Sequence, residues 1–231
     1  MNIILIRPEE TNGTNATIKG DRFKHIRDVL KGKVGSVIKT GLLGGQMGTS
    51  VILFMNSNSV MLKMSHTEDP PAPSGVTVIL ALPRPKVYRR IIFGIATAGV
   101  KDIHIINTWR VDKSYWDSPY LEKARLNEYF YDALQQAKDT IMPKLTYHRF
   151  FNDFINDALP SLPAENRYFA HPYDSSETEF TKPAVVAIGC EGGFIDKEAD
   201  SFIRNGFKPF SLGERILTTE YAVPYILGML N

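Results

Sequence analysis

The spacing of apolar positions changes character near residue 70. Before it, short alternating runs at 3–6, 36–40, 49–54 and 59–64 are punctuated by Gly41, Gly44, Gly45 and Gly48. That pattern predicts a small β-barrel or meander. Within it, Phe23, Ile26, Val29 and Leu30 fall at helical spacing, so one helix is expected over 21–30. Three prolines and a glycine at 69–75 favour an extended connector over any continuing element. After it, apolar runs at 76–82, 103–106, 144–148, 167–171, 184–188 and 208–212 read as strands. Helical patterns lie between or after them at 88–99, 121–138, 196–205 and 219–229. Strands alternating with helices imply a largely parallel α/β sheet covered on both faces. The expected domains are therefore 1–70, all-β with one helix, and 74–231, α/β.

Composition narrows the class. The chain has 231 residues, 43% of them hydrophobic and 23% charged, which suits a globular protein with a real core. No apolar run reaches the length of a membrane span, and the N-terminus lacks a signal-peptide layout. The single cysteine, Cys190, excludes an intrachain disulfide and fits a reducing compartment, so a cytoplasmic protein without a membrane partner is expected. The five histidines (25, 66, 104, 148 and 171) are scattered, and no metal site is expected. The net charge of +2 says little, but residues 19–39 carry seven basic against two acidic side chains. Arg22, Lys24, His25, Arg27, Lys31 and Lys33 form a concentration suited to phosphate contacts, and equally a solvated surface face.

Two segments near the end of the chain carry the candidate chemistry. AVVAIGCEGGF at 184–194 reads as a buried strand running into Gly189, Gly192 and Gly193 with one carboxylate, Glu191. SLGERILTTEY at 211–221 repeats the layout, with a turn at Gly213 before the last helix. Glycines at strand ends let backbone amides lie against a ligand with no Cβ in the way. Two such loops suggest one crevice at the carboxyl ends of the strands. A GxGxxG fingerprint is missing after the first strand of the α/β part, where 81–86 reads ALPRPK, and GxxxxGK[ST] is missing throughout. A nucleotide-like ligand must use another loop geometry, and 189–193 is the candidate. A purely structural glycine turn remains open on spacing alone.

With these residues in view, the chain resembles the RsmE family of SPOUT (α/β-knot) methyltransferases. HIRDVLK at 25–31 resembles the family's H-x-x-x-V-L-R segment, and FAHP at 169–172 a strand that ends at the cofactor. GCEGGF at 189–194 is similar to GPEGGF, and LGERILTTEYA at 212–222 to LGxRILRTETA. The resemblance implies S-adenosyl-L-methionine as cofactor and methylation of a uridine N3 in 16S ribosomal RNA of the small subunit. It implies a PUA-like β-barrel that helps hold RNA, a C-terminal α/β trefoil-knot domain and a homodimer. Carried over by position, it places Ala170, His171, Ile188, Gly189, Gly193, Leu212, Gly213, Ile216 and Leu217 at the cofactor. Arg215 and Glu220 match retained motif positions and are the catalytic candidates. Arg215 would stabilise charge on uracil oxygens, and Glu220 would orient Arg215, act as base, or form a structural salt bridge. On residue type and spacing alone, Leu212, Ile216 and Leu217 also read as ordinary core, and His171 as a satisfied half-buried histidine.

Some positions depart from the family pattern. Where the family carries arginines, this chain has Asp139, Ile141 and Thr218, and Cys190 replaces a proline. Loss of arginines near a substrate face removes charge that would grip phosphate. Compensation is sought in Arg84, Lys86, Arg89 and Arg90, or around Trp109, Arg110, Lys113, Tyr115 and Trp116, whose aromatic rings suit base stacking or plain packing. The alternative class is a non-catalytic RNA-binding knot protein acting in ribosome assembly, or a methyltransferase with a different target nucleotide.

Overall fold

The computed structural model describes residues 1–171 and 179–230. The chain divides into two compact units, residues 1–72 with 131–142, and residues 73–130 with 143–231.

The first unit is built on a six-stranded sheet in the order β1-β4-β5-β6-β3-β2. Its strands are β1 (Ile4–Ile6), β2 (Thr11–Asn12), β3 (Asn15–Lys19), β4 (Val37–Leu42), β5 (Met47–Met55) and β6 (Ser59–Glu68). β1 pairs with β4 in parallel, and the other pairings are antiparallel. Among the described residues no ladder joins the edge strands β1 and β2, so of the barrel or meander that the pattern allowed, no closed barrel is seen. Alternation sets the faces: Ile38, Ile52, Val60 and Leu62 point inward with Ile4, Ile6 and Ile18, whereas Val37, Val51 and Met61 stay exposed. Each fully buried aliphatic side chain contributes about 1.5–3 kcal/mol relative to its exposed state. The β5–β6 register skips Leu53, a bulge that turns Leu53 and Phe54 outward.

The expected helix over 21–30 is two pieces, α1 (Gly20–Lys24) and a π-helical turn His25–Val29. Phe23 and Ile26 reach the core, but Val29 and Leu30 are exposed. The wider π turn takes them off the stripe that a 3.6-residue period predicts. Residues 131–142 join this unit because Tyr131 and Leu134 pack with Ile3 and Leu5, on the other face of β1. The Tyr131 hydroxyl donates to the Leu5 carbonyl.

The second unit has a six-stranded sheet in the order β12-β10-β11-β7-β8-β9, parallel throughout. The strands are β7 (Val76–Ala81), β8 (Asp102–Ile106), β9 (Lys144–His148), β10 (Arg167–Ala170), β11 (Ala184–Ile188) and β12 (Lys208–Phe210). The helices are α2 (Pro85–Thr97), the first part of α3 (Lys123–Ala137, whose residues from 131 on belong to the first unit), α4 (Phe151–Asp153), α5 (Asp196–Arg204) and α6 (Thr219–Met229). β11 lies between β10 and β7 and is buried along its whole length, which explains its unbroken apolar sequence. α2 starts at Pro85 and buries Tyr88, Ile91, Ile92, Ile95 and Ala96, one face at helical spacing.

Topology places the ligand end. The chain builds β7, β8 and β9 outward, then returns to lay β11 and β10 on the other side of β7. In open parallel sheets a reversal of this kind leaves a crevice beyond the carboxyl ends of the strands. At its opposite, amino end β10 is fixed by Arg167, whose guanidinium donates to the carbonyls of Leu159, Leu162, Pro163 and Asn205. No described helix is long and apolar enough to cross a membrane.

Candidate functional site

The carboxyl ends of β10, β11 and β12 open into a cavity of about 260 Å³, just below the usual range for small-molecule sites. Ala170 and His171 line it from the end of β10, Ile188, Gly189 and Gly193 from β11 and its loop, and Leu212, Gly213, Ile216 and Leu217 from the loop after β12. All nine residues expected at the cofactor therefore meet at one cavity. Pro172, which completes the matching motif at 169–172, lies outside the described residues.

The glycine loop folds tightly on itself. A Cβ on Gly189 would lie 2.9 Å from the Gly193 Cα, so this approach requires a residue without a side chain. Gly193 has φ +70° and donates its amide to the Cys190 carbonyl at 2.9 Å, closing the turn. Glu191 fastens the loop from outside by accepting the Arg84 amide at 3.1 Å. The amide comes from the residue before α2, so the bond ties the glycine loop to the start of that helix. Arg110 holds the opposite side, with its guanidinium donating to the Gly192 and Phe194 carbonyls. Cys190 lines the cavity and is buried, and burial pushes its thiol above the ordinary range against a hydrogen bond from the Gly192 amide.

The second loop leaves its apolar side chains open. Ile216 is 74% exposed and Leu217 37%, so neither is the core residue that its spacing allowed. Exposed aliphatic groups around a cavity with glycine walls suit the faces of a flat, partly apolar ligand. His171 is half-buried, its amide donates to the Phe210 carbonyl at 2.8 Å, and its ring meets Phe169 edge-on. This joins the ends of β10 and β12 beneath the cavity.

The catalytic candidates separate. Arg215 is exposed and lines the cavity. Glu220 is not among the lining residues, and its carboxylate is paired with Arg90, Nε to Oε1 at 2.6 Å. Of the three roles open to Glu220, the salt bridge is the one observed.

The basic candidates are dispersed in function. Arg84 and Lys86 are exposed at the start of α2, where the Glu191 bond ties the backbone to the glycine loop. In the first unit Arg22 faces inward and donates to both Glu10 oxygens and to the Leu5 carbonyl, its side chain only 12% exposed. Lys24 pairs with Asp21 and Arg27 with Asp28, both at the surface. Lys31 is exposed with φ +53°. His25 is half-buried, and burial lowers its pKa. No group of three or more His, Cys, Asp or Glu among the described residues is placed to hold a metal ion.

Sequence reading did not place Arg110, Phe194, Thr219 or Ala222 at the cavity, nor assign a role to Glu198. Glu198 is buried and accepts the Ile195 amide at 3.0 Å and the Trp109 amide at 2.8 Å, coupling the start of α5 to the loop after β8. An acidic residue three positions into a predicted helix was the available signal for the first bond. Nothing local signals the second.

Known proteins resemble the chain in the same region and beyond it. An RNA methyltransferase domain model matches residues 70–231. Ribosomal RNA small subunit methyltransferase E of Treponema pallidum (strain Nichols) is 27% identical, over 96% of this chain and 87% of the relative. Ribosomal RNA small subunit methyltransferase E 1 of Borreliella burgdorferi is 25% identical, over 96% and 94%. Among solved structures, a Legionella pneumophila methyltransferase in complex with bound SAM matches with a TM-score of 0.74 at 21% identity, covering 99% of this chain and 96% of that one. Ribosomal RNA small subunit methyltransferase E from Neisseria gonorrhoeae, bound to S-adenosyl methionine, matches with a TM-score of 0.73 at 19% identity, covering 98% and 95%.

Proposed function

The chain belongs to the RNA methyltransferase domain family, with the ribosomal RNA small subunit methyltransferases E (RsmE), and on that premise we propose that it methylates 16S ribosomal RNA of the small subunit, at N3 of a uridine. It is an S-adenosyl-L-methionine-dependent enzyme. The observation that carries the site assignment is the convergence of nine motif-matched residues from three separate segments on one cavity.

The residues present fit that cofactor. The Gly189 to Gly193 approach leaves backbone surface where a side chain would otherwise stand, and the open Ile216 and Leu217 offer apolar faces for an adenine ring. Ala170, Ile188, Leu212 and Gly213 complete the wall. When bound, S-adenosyl-L-methionine supplies the electrophilic methyl group. Uracil N3 is a weak nucleophile until its proton passes to solvent water, and negative charge then gathers on the flanking oxygens. Of the two arginines at the cavity, Arg215 is the one not spent on the glycine loop, and it stabilises this charge. Glu220 acts through structure, holding the start of α6 against Arg90.

The finer architecture follows the same reading. The first unit is PUA-like and supplies RNA contacts through Lys24, Arg27 and Lys31, with Arg22 and His25 holding the segment that presents them. Arg84 and Lys86 add charge beside the glycine loop. The second unit is an α/β trefoil knot, a reading supported by its parallel strand order and the return of β10, β11 and β12 to one cavity. The protein is a homodimer without a metal. Tyr221, Tyr225 and Met229 lie at four-residue spacing on α6 and are 66%, 54% and 43% exposed, an apolar stripe of the kind a second copy covers. The protein acts in the cytoplasm, where its RNA substrate is.

A second reading, a non-catalytic RNA-binding knot protein, is favoured by the missing arginines. Asp139, at one of those positions, is buried and accepts the Ile141 amide at 2.9 Å, so it serves the local fold and not a phosphate. Calorimetry with S-adenosyl-L-methionine, followed by mass spectrometry of small-subunit ribosomal RNA nucleosides incubated with the protein, decides between them. Binding with a gain of 3-methyluridine is expected. Absence of cofactor binding removes the enzyme reading.

A further inference from the structure

Trp109 is the most exposed large apolar side chain among the described residues, at 81%. An indole left this open forgoes most of the stabilisation its burial would bring, which points to a partner outside the chain. The other tryptophan of its segment is committed. Trp116 is buried, donates its indole N–H to the Asn107 side chain at 2.9 Å, and meets Tyr147 edge-on. The Arg149 guanidinium lies 5.4 Å from the Trp116 ring.

Its backbone is held from both sides. The Trp109 amide donates to buried Glu198, and the next residue, Arg110, clasps the Gly192 and Phe194 carbonyls of the glycine loop. Asn107, two positions earlier, is fixed by its amide bond to the His148 carbonyl on β9 and by Trp116. A bulky ring on a backbone anchored to the cavity loop is presented, not mobile. The local charge is mostly basic, with Arg110, Lys113 and Arg149 following the ends of β8 and β9. Asp112, which caps Ser114, and exposed Asp117 are the acidic residues of the same segment.

We propose that Trp109 is the stacking platform for an unpaired RNA base flanking the methylated nucleotide. An exposed indole one residue from a cavity-lining arginine matches how single-stranded RNA is held, by base stacking with cations for the backbone. It also assigns a substrate contact that is not built from the arginines missing at 139, 141 and 218. The proposal rests on the RNA methyltransferase reading, and its test separates the two.

The chain has two tryptophans, so the emission difference between the wild type and Trp109→Phe isolates Trp109. Titration with a ten-nucleotide oligouridylate is expected to quench that difference signal. Trp109→Ala is expected to raise the KM for small-subunit RNA roughly ten- to a hundredfold, the range that loss of one base–aromatic stack gives. The change in kcat should be much smaller and the affinity for S-adenosyl-L-methionine the same, with Trp109→Tyr restoring most of the loss. An active wild type whose Trp109 emission ignores RNA, or a Trp109→Ala variant with the wild-type KM, overturns the proposal. So does an emission change that follows protein concentration without RNA, which would assign the indole to a second copy. RNA-dependent quenching in a protein that neither binds the cofactor nor transfers methyl supports the platform and sinks the enzyme reading instead.

Discussion

Arg90 and Glu220 are joined by two contacts, Nε to Oε1 at 2.6 Å and Nη2 to Oε2 at 3.0 Å, a fork that links α2 to the first turn of α6. The acid that motif position marked as a catalytic candidate is thus spent on holding two helices that pack together. Arg90 is 63% exposed, so the pair is solvent-screened and its coupling is expected to be under about 1 kcal/mol. Glu220→Gln and Arg90→Met should each lower methyl transfer by similar, modest factors, and the double variant should do little more. A double-mutant cycle on stability and on kcat checks this. A hundredfold loss in Glu220→Gln that Arg90→Met does not share would restore Glu220 as a proton acceptor.

The glycine loop offers a sharper contrast. A Cβ at Gly189 meets backbone atoms of Gly193 at 2.9 and 3.1 Å, which have no rotamer by which to retreat. Gly189→Ala is expected to cost about 1–3 kcal/mol of stability, and to weaken S-adenosyl-L-methionine binding at least tenfold, on the order of 1.4 kcal/mol. Gly94, inside α2, faces open space, and a Cβ added there would have nothing within 4 Å. Gly94→Ala should be neutral or stabilising by up to about 1 kcal/mol, with cofactor affinity intact. Thermal melts and calorimetry on both variants distinguish a loop-specific effect from general fragility.

Arg110 carries the same loop from the other side. Replacing it with alanine removes the donors to the Gly192 and Phe194 carbonyls and leaves the first turn of the loop unsupported. Cofactor affinity in Arg110→Ala should fall roughly tenfold, the effect of losing charge-assisted hydrogen bonds worth about 1.5–3 kcal/mol each before solvent substitutes for them. Arg110→Lys should recover only part, since an ammonium does not reproduce the guanidinium fork. Calorimetry reads both, and unchanged affinity in Arg110→Ala would mean that the loop holds its shape unaided.

Arg215 is expected to behave differently from Arg110. It lines the cavity with an exposed side chain, so truncation leaves the walls in place. Arg215→Ala should lower kcat by about 10²–10³, the range found when one stabiliser of a developing oxyanion is lost. The dissociation constant for S-adenosyl-L-methionine should hardly move. Full transfer by this variant would dismiss the assigned role.

The parallel sheet was legible because strands buried on both faces are nearly unbroken apolar runs, as in 76–82 and 184–188. The cavity walls were legible because glycines and their flanking motif residues are local in sequence. What was not legible depends on distant partners or on irregular backbone. β3 (Asn15–Lys19) has only Ala16 and Ile18 facing the core, too short an alternation to separate from a loop. The π turn at 25–29 moved Val29 and Leu30 out of the helix stripe. Arg22 looked like one more surface cation until Glu10 and the Leu5 carbonyl, on separate elements, drew it inward. The pairing of Glu220 with Arg90 spans 130 positions, and no periodicity encodes it.

That inward arginine gives a pH dependence whose sign can be worked out. Burial alone pushes the Glu10 carboxyl up, but the Arg22 hydrogen bond, the Arg7 amide and the two guanidinium charges outweigh it, and the net shift is below the ordinary 4.5. A carboxyl lowered in the folded state is protonated first in the unfolded chain, so its contribution is fully present above about pH 4.5 and is lost as pH falls through the lower folded value. Glu10→Gln should therefore be less stable than wild type at pH 7 by about 1–3 kcal/mol, the cost of removing a charged partner from a half-buried donor. The gap should narrow as the pH falls below about 4.5 and through the lower folded value. Comparing melts of the two proteins across that range cancels every titration they share, including those of His66 and His148, whose pKa values burial lowers. A gap that stays constant as the pH falls through that range would mean that Glu10 contributes shape and not charge.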